Sequence, residues 1–232
     1  MIRRSLLIIG LILVCSPFVT HYTIGSRTNQ YQVSQVSKKT IINNQHQKAS
    51  YDYDAIKLIS ESSVLTEQGD NLPVIGGIAI PKLSINLLNF KGVTNANLLY
   101  GAGTMKDNQV MGGENNYALA SHHVFNLTGN SNMLFSPLER AKNGMVVYLT
   151  DKTKAYTYMI TEITTVIPGQ LEVLNDQPNQ SLLTLITCQD AKATRRLVVK
   201  ASLTSSNSYD NMTKSEQKAF SYHYNQLQKE SP

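Results

Sequence analysis

The sequence has few cysteines and no tryptophan. Only Cys15 and Cys188 occur among 232 residues, and Cys15 lies in a hydrophobic N-terminal run. Cys188 therefore has no plausible disulfide partner in the soluble part of the chain. A single unpaired thiol of this kind is either a small buried hydrophobe or a reactive group.

Metal-ligand spacing is also missing. The five histidines are His21, His46, His122, His123 and His223, and no cluster of Cys, His and Asp has the spacing of a zinc site. We predict no metal and no cofactor. His122 and His123 stand together where a predicted strand runs into a loop, which leaves them as candidates for a base beside the thiol.

Acidic residues are absent from residues 1–50, which hold six Lys and Arg. The rest of the chain holds the other 15 basic residues and all 16 acidic residues, so it is nearly neutral. The excess positive charge therefore belongs to the N-terminal part. This distribution favours an anionic membrane surface and cell-wall polymers over a nucleic-acid groove.

The N-terminus carries the longest hydrophobic run. Arg3 and Arg4 precede an apolar stretch that extends with its flanks to about Gly25, close to the ~20 residues of a spanning helix. A cleaved signal peptide is the alternative, but no clear cleavage site follows. We predict an uncleaved, single-pass anchor in the cell membrane, with the N-terminus inside and the rest of the chain extracellular.

The rest of the chain predicts an all-β fold. Many short β-rich segments are separated by Gly, Pro and Asn, as in small barrels. The predicted organisation is an anchor at 1–25, a polar stalk or linker at 26–72, a barrel at 73–205 and a helical tail at 206–232. Within the stalk, the apolar spacing of 51–68 is consistent with a helix or with a plain spacer.

The most informative stretch is 181–200. Its first half, Leu182 to Thr187, predicts a buried strand that ends at Cys188. Arg195 and Arg196 open the next apolar run. If the two strands pair, the thiol and one guanidinium face the same cleft, because adjacent residues of a strand point to opposite sides.

Together these motifs resemble the sortases, the membrane-anchored cysteine transpeptidases of Gram-positive bacteria. Thr184–Cys188, Arg196 eight positions after the cysteine and Ala120–His122 upstream carry the resemblance, in that order. The stretches 101–105, 111–117 and 133–141 look most similar to the streptococcal class A members. The likeness covers about 73–205 and implies an eight-stranded barrel with short helices.

The resemblance also implies roles. Cys188 would be the nucleophile, His122 the proton donor and acceptor, and Arg196 the group that orients substrate and stabilises the oxyanion. The substrate would be a secreted surface protein with a Leu-Pro-x-Thr-Gly sorting signal, cleaved between Thr and Gly. The acceptor would be an amino group of the peptidoglycan precursor, lipid II.

The predicted substrate groove is apolar, and core packing is the competing explanation for each of its residues. Its members would be Ala120, Val166, Pro168, Leu171, Val173, Ile186 and Thr187. Some class A sortases bind calcium near this groove, but the region around Lys106-Asp107 and Glu172 offers few carboxylates here. The absence of an Asp-Pro-aromatic lid and of a C-terminal hydrophobic helix argues against a pilin-polymerising class C enzyme.

Two other functions remain compatible with the residues. An exported cysteine peptidase or amidase would use the same Cys and His and pass its acyl group to water. A non-enzymatic wall-binding barrel would leave Cys188 inert, and slow alkylation of the thiol would identify it.

Overall fold

Eight strands close into a barrel in a computed structural model, which describes Val19, Tyr22 and residues 32–59, 72–125 and 132–222. The order around the barrel is β1-β2-β3-β4-β7-β8-β6-β5. The β2–β3 and β4–β7 pairs are parallel and the others antiparallel. The predicted all-β barrel is confirmed. Its strands are β1 Val74–Ile80, β2 Ile85–Phe90, β3 Gly101–Thr104, β4 Asn116–Ala120, β5 Val146–Thr150, β6 Lys154–Val166, β7 Leu182–Cys188 and β8 Arg196–Ser208.

Short helices connect or flank the strands, each with a side-chain cap at its start. Ser37, Thr94 and Thr213 accept a hydrogen bond from the backbone amide three residues later, as capping residues do. Within residues 32–59, 72–125 and 132–222, the helices are α1 Lys38–Gln45, α2 Asn95–Tyr100 and α3 Lys214–Ser221. Single 3₁₀ turns lie at Val33–Gln35, Pro81–Leu83, Ser136–Arg140, Leu171–Leu174 and Tyr209–Asn211.

The strand that carries the thiol is buried on both faces. Leu183 and Leu185 belong to the large apolar core, whereas Ile186 belongs to a second, smaller cluster with Ala118 and Val198. Covering both faces explains why the sequence of β7 is almost continuously apolar rather than alternating. The smaller cluster lies beneath the loops that surround Cys188.

The segment predicted to be a polar stalk or linker packs on the barrel in its described part. Val33 and Ile41 are fully buried, and the Asn44 amide donates to the Val74 carbonyl over 2.9 Å. Gly77 in β1 makes room for this contact, since a Cβ there would lie 2.9 Å from the Cβ of Val33. Lys152 Nζ adds hydrogen bonds to the Ser34 and Val36 carbonyls, so apolar and polar contacts together dock the segment.

The helix considered for 51–68 does not form in the described residues 51–59. The Asp52 carboxylate accepts from the amides of Asp54 and Ala55, so its side chain stabilises a local turn that competes with a helix. The Val93 amide donates to the Ser50 carbonyl over 2.8 Å. This segment therefore lies along the barrel, and Tyr53 and Ile56 pack against the second apolar cluster.

The C-terminal boundary of the barrel differs slightly from the predicted one. Strand β8 continues past the predicted boundary at residue 205, because its backbone keeps pairing with β6 after the apolar pattern has ended. Of the predicted helical tail at 206–232, residues 206–208 belong to β8 and Lys214–Ser221 form helix α3, whereas residues 223–232 lie outside the described chain. The predicted anchor at 1–25 also lies outside it, apart from Val19 and Tyr22. Among the helices of the described residues, none has the length and apolar character needed to cross a bilayer.

Candidate active site

Three strand ends meet where the thiol lies. Cys188 ends β7 and stands directly opposite Arg196, the first residue of β8. Val166 ends β6 and is paired with Arg196 from the other side. The pairing of the two strands, inferred from their apolar runs, therefore places the thiol and the guanidinium in one rung of the barrel.

His122 reaches the same place from β4. That strand runs parallel to β7, with Ala120 opposite Ile186, and the ladder continues with the Ser121 amide donating to the Ile186 carbonyl. The Ser121 hydroxyl donates to the Gly101 carbonyl over 2.6 Å. These two bonds fix the direction in which the chain leaves β4, so that His122 borders the same cavity as Cys188 and Arg196.

The cavity has a volume of about 450 Å³. Its lining contains Cys188, His122 and Arg196 together with every residue predicted for the substrate groove. Those groove residues are Ala120, Val166, Pro168, Leu171, Val173, Ile186 and Thr187. The cavity thus combines a thiol, a titratable ring and a cation with an apolar wall, which is the kind of lining that a peptide-binding site has.

Thr187 borders the cavity, whereas Arg195 lies outside it. The Thr187 hydroxyl donates to the Ser121 carbonyl over 2.9 Å, so it ties β7 to the end of β4 while bordering the cavity. Arg195 does not border the cavity but faces Asp190, with Nε 3.9 Å from a carboxylate oxygen. Of the two adjacent arginines, the structure places Arg196 at the thiol.

Burial sets the charge state of the resting pair. It lowers the pKa of His122 to about 4 and raises the pKa of the Cys188 thiol above its ordinary value. The Arg196 cation partly opposes the effect on the thiol, whereas the Asp190 carboxylate adds to it. At neutral pH the free protein therefore holds a neutral thiol and a neutral imidazole.

Backbone carbonyls of the loop between β7 and β8 hold Arg196. Its Nη1 donates to the Ala193 carbonyl over 2.7 Å and to the Arg195 carbonyl over 3.3 Å. The loop is in turn ordered by Asp190, whose carboxylate accepts from the amides of Lys192, Thr194 and Arg195. These bonds lower the pKa of Asp190, so the loop around the cation is fixed before any substrate arrives.

A polar clamp holds the β6–β7 loop that forms one cavity wall. The buried Asn116 side chain accepts from the Thr184 hydroxyl and donates to the Val173 carbonyl over 2.9 Å. Lys106 contacts Asp176 at 2.5 Å and also donates to the Leu174 carbonyl. The loop is thereby attached to β4 and β7 at a fixed height above the apolar cluster.

Metal-binding groups are sparse in the described residues. No three His, Cys, Asp or Glu side chains there lie close enough together to hold an ion. Asp107, considered for calcium from the sequence, lies 4.0 Å from the Lys91 ammonium.

Comparison with known proteins agrees with this site. A family description of the sortase domain matches residues 78–204. Sortase A of Streptococcus agalactiae is 56% identical over 224 residues, which cover 96% of this chain and 91% of the relative. The chain belongs to the sortase family. It is a class A sortase, a cysteine transpeptidase that sorts proteins to the cell wall.

Further sortases support the same assignment. Sortase A of Listeria monocytogenes is 37% identical over 85% of this chain and 88% of its own. A crystal structure of sortase A from the same species superposes with a TM-score of 0.56 at 38% identity, over 63% of this chain and 96% of the other. A sortase C from Streptococcus pneumoniae, 18% identical with a TM-score of 0.61 over 86% of this chain and all of its own, shares the fold.

One wall of the sortase cavity was not predicted from the sequence. Residues 51–54 and Ile56, assigned to the stalk, also border the cavity. The Tyr53 hydroxyl donates to the Met105 carbonyl, which fixes the segment across the opening. The pair of tyrosines, Tyr51 and Tyr53, was the available clue, because exposed aromatic residues in a polar linker usually have something to contact.

The resting protonation state gives a first prediction. Alkylation of Cys188 by iodoacetamide is expected to be slow at pH 7 and to rise about tenfold per pH unit until above pH 9, because only the thiolate reacts. The measurement is peptide mass spectrometry of the full-length chain between pH 6 and 10, which separates Cys188 from Cys15. A rate that levels off below pH 8 would contradict the neutral pair.

The polar clamp gives a second prediction. Asn116→Ala is expected to raise KM for a sorting-signal peptide about three- to tenfold with kcat nearly unchanged, because the loop wall loosens while the reacting groups stay in place. The free energy of unfolding is expected to fall by about 1–3 kcal/mol, since the partners are left unpaired. Steady-state kinetics and chemical denaturation measure the two effects.

Glu172→Ala is the matched control for this change. Glu172 lies in the same loop, is exposed and is not part of the cavity lining. Its substitution should leave KM within about twofold. An equal rise in KM for both variants would show that the loop responds to any change, and the role given to Asn116 would fail.

Proposed function

We propose that this sortase cleaves Leu-Pro-x-Thr-Gly sorting signals between Thr and Gly and transfers the protein to an amino group of lipid II. The observation that supports this most directly is the convergence of Cys188, His122 and Arg196 on one apolar-walled cavity. A peptide acyl transfer needs these three kinds of group: a nucleophile, a proton carrier and a cation for the oxyanion.

In the first half-reaction the Cys188 sulfur attacks the threonine carbonyl, and the thiol proton passes to His122. Arg196 stabilises the negative charge that develops on the carbonyl oxygen. The C–N bond to glycine then breaks, and His122 returns the proton to the leaving amine. The product is a thioester between Cys188 and the threonine, with the imidazole neutral again.

In the second half-reaction the amino group of the acceptor attacks the thioester. His122 takes one proton from the attacking nitrogen, an amide bond forms, and the Cys188–carbonyl bond breaks. The proton on His122 then returns to the sulfur. The neutral resting pair favours this cycle, because a neutral imidazole can accept a proton in both halves.

The apolar wall supports the choice of substrate. Val166, Pro168, Leu171, Val173 and Ile186 offer the side chains against which Leu and Pro of a sorting signal would be buried, and Ala120 leaves room beside them. Removing such apolar surface from water is worth about 25 cal/mol per Å². Thr187 would contribute chiefly by holding β7 against β4.

We also infer where the reaction takes place. Residues 1–25 would be a single membrane anchor with the N-terminus inside, so that the catalytic domain is extracellular and faces both secreted proteins and lipid II. The basic N-terminal part and the nearly neutral remainder support this placement. Fractionation of cells that produce the full-length chain, with protease added from outside, tests it.

The central test uses the full-length chain in detergent micelles with a quenched fluorescent Leu-Pro-x-Thr-Gly peptide. The peptide is supplied with and without a short glycine or alanine peptide as amine acceptor, and mass spectrometry identifies the products. Thr–Gly cleavage with ligation of the acceptor is the expected result. Release of the free acid alone in the presence of acceptor would instead favour the peptidase or amidase alternative.

A further inference from the structure

His123, the residue after His122, takes no part in the reaction steps above, but its ring contacts other residues of the site. His123 is 8% exposed, and its ring stacks on Phe125 with centroids 4.0 Å apart and an angle of 5° between the planes. Its Nδ1 lies 3.0 Å from the carbonyl oxygen of Cys188. Its Nε2 lies 3.3 Å from a carboxylate oxygen of Glu139 in the 3₁₀ turn Ser136–Arg140.

The hydrogen bond between His123 Nδ1 and the Cys188 carbonyl takes the place of a backbone bond that a longer β4–β7 ladder would form. The Ser121 amide donates to the Ile186 carbonyl, so the next bond of a parallel ladder would run from the His123 amide to the Cys188 carbonyl. The main chain has left the ladder by then, because His123 forms an antiparallel bridge with Leu134 instead. The side chain of the same residue supplies the hydrogen bond that the backbone no longer makes.

The chemistry of the contact fixes the ring. A carbonyl oxygen can only accept a hydrogen bond, so Nδ1 must carry a proton. Phe125 holds the ring in the plane that this bond requires. The Glu139 carboxylate adds a hydrogen bond when Nε2 also carries a proton. The hydrogen bonds that a histidine ring makes determine both its tautomer and its orientation.

We propose that His123 is a positioning residue of the transpeptidation, which fixes the peptide carbonyl of Cys188 and so the strand end from which the thiol projects. The proposal rests on the proposed function for its kinetic consequence. Cys188 is the last residue of β7, where the ladder to β4 has already ended. Without the His123 bond, the β4-side carbonyl of the nucleophile would lose its protein partner, and small displacements of a reacting group are costly to rate.

Two substitutions separate this role from simple packing. His123→Phe keeps an aromatic ring for stacking on Phe125 but removes the donor, whereas His123→Asn keeps an N–H close to the position of Nδ1. In the full-length chain we expect His123→Phe to lower kcat about 10- to 100-fold with KM within twofold, and His123→Asn to stay within about threefold of the parent kcat. Thermal unfolding of both variants is measured alongside.

The outcomes are decisive in each direction. A kcat for His123→Phe within twofold of the parent would overturn the proposal, and so would an equal loss in His123→Asn at the same unfolding temperature. If His123→Phe does not fold, Glu139 provides the test. Glu139→Ala is then expected to lower kcat about three- to tenfold and Glu139→Gln to preserve it, and an unchanged kcat for Glu139→Ala would overturn the proposal.

A spectroscopic measurement separates this proposal from the proposed function. Nitrogen-15 spectra of the histidine rings in the full-length chain at pH 7 report which nitrogen carries the proton, without any substrate. We expect a proton on Nδ1 of His123. A ring protonated only on Nε2 would overturn the positioning role even if the chain cleaves sorting signals, whereas an Nδ1 proton in a chain that cleaves none would show that the substrate assignment had failed.

Discussion

Cys188→Ala is expected to reduce kcat/KM for a sorting-signal peptide by at least about 10⁴-fold. The proposed reaction runs through a covalent thioester, and alanine has no atom that can form one. Loss of the nucleophile in a covalent enzyme typically removes catalysis by about this factor or more, leaving only what binding and electrostatics contribute. The assay is peptide cleavage by the full-length chain, followed by mass spectrometry for the acyl-enzyme.

The substitution should not disturb the fold. Cys188 is half-buried at a strand end, opposite Arg196 and bordering an open cavity. Alanine suits the extended backbone, and its smaller volume is met by the cavity rather than by a new internal void. The unfolding temperature should therefore stay close to that of the parent, so that lost activity reports lost chemistry.

Cys15→Ala is the matched control, because it removes the other thiol of the chain. Its activity and its thioester signal should equal those of the parent. If Cys188→Ala retained cleavage within about tenfold of the parent, the nucleophile would have been assigned wrongly. A water-activating or other non-covalent mechanism would then have to be sought in the same cavity.

The central part of the site could be predicted because it depends on local sequence. An apolar run that ends at Cys188 and another that begins at Arg196 imply two strands, and antiparallel pairing brings their adjoining ends together. The order of His, Cys and Arg then identifies the family. No long-range packing had to be known for either step.

What sequence reasoning missed depends on long-range contacts. Strand β3 is four residues long with glycines at two of them, and such a segment has little intrinsic strand preference. It forms because β2 and β4 pair with it on either side. Likewise, the contact between the His123 ring and the Cys188 carbonyl arises because the chain leaves the β4 ladder at that residue, which no periodicity encodes.

The packing of the N-terminal segment also could not be predicted from its composition. Its composition is that of a linker, yet Val33 and Ile41 are fully buried and residues 51–54 border the cavity. Burial of a single apolar residue depends on a complementary notch, as at Gly77 for Val33, and such a notch exists only in the folded barrel. Removing the first fifty residues would therefore take away part of the core as well as the predicted anchor.

Arg196→Ala is expected to lower kcat by about 10²–10³-fold, which corresponds to about 3–4 kcal/mol of lost transition-state stabilisation. The guanidinium stands opposite Cys188 and is already held by the Ala193 and Arg195 carbonyls. A cation fixed in this way needs little reorganisation when charge develops on the substrate oxygen. Because that charge is small in the ground state, KM should change much less than kcat.

The same substitution should also change the thiol itself. The positive charge of Arg196 lowers the pKa of Cys188 against the effect of burial, so its removal raises that pKa further. At pH 8 the variant should be alkylated more slowly than the parent, because a smaller fraction of the thiol is ionised. Arg196→Lys keeps the charge and should retain the alkylation rate better than the turnover, since an ammonium lacks the planar donor pair.

Arg195→Ala is the control that decides between the guanidinium and the loop. Arg195 is adjacent, carries the same charge and faces Asp190 outside the cavity. Its side chain can be removed while its carbonyl still accepts from Arg196, and activity should remain within about threefold of the parent. If Arg195→Ala were as damaging as Arg196→Ala, the order of the β7–β8 loop would be the determinant, and direct stabilisation of the oxyanion by Arg196 would have to be abandoned.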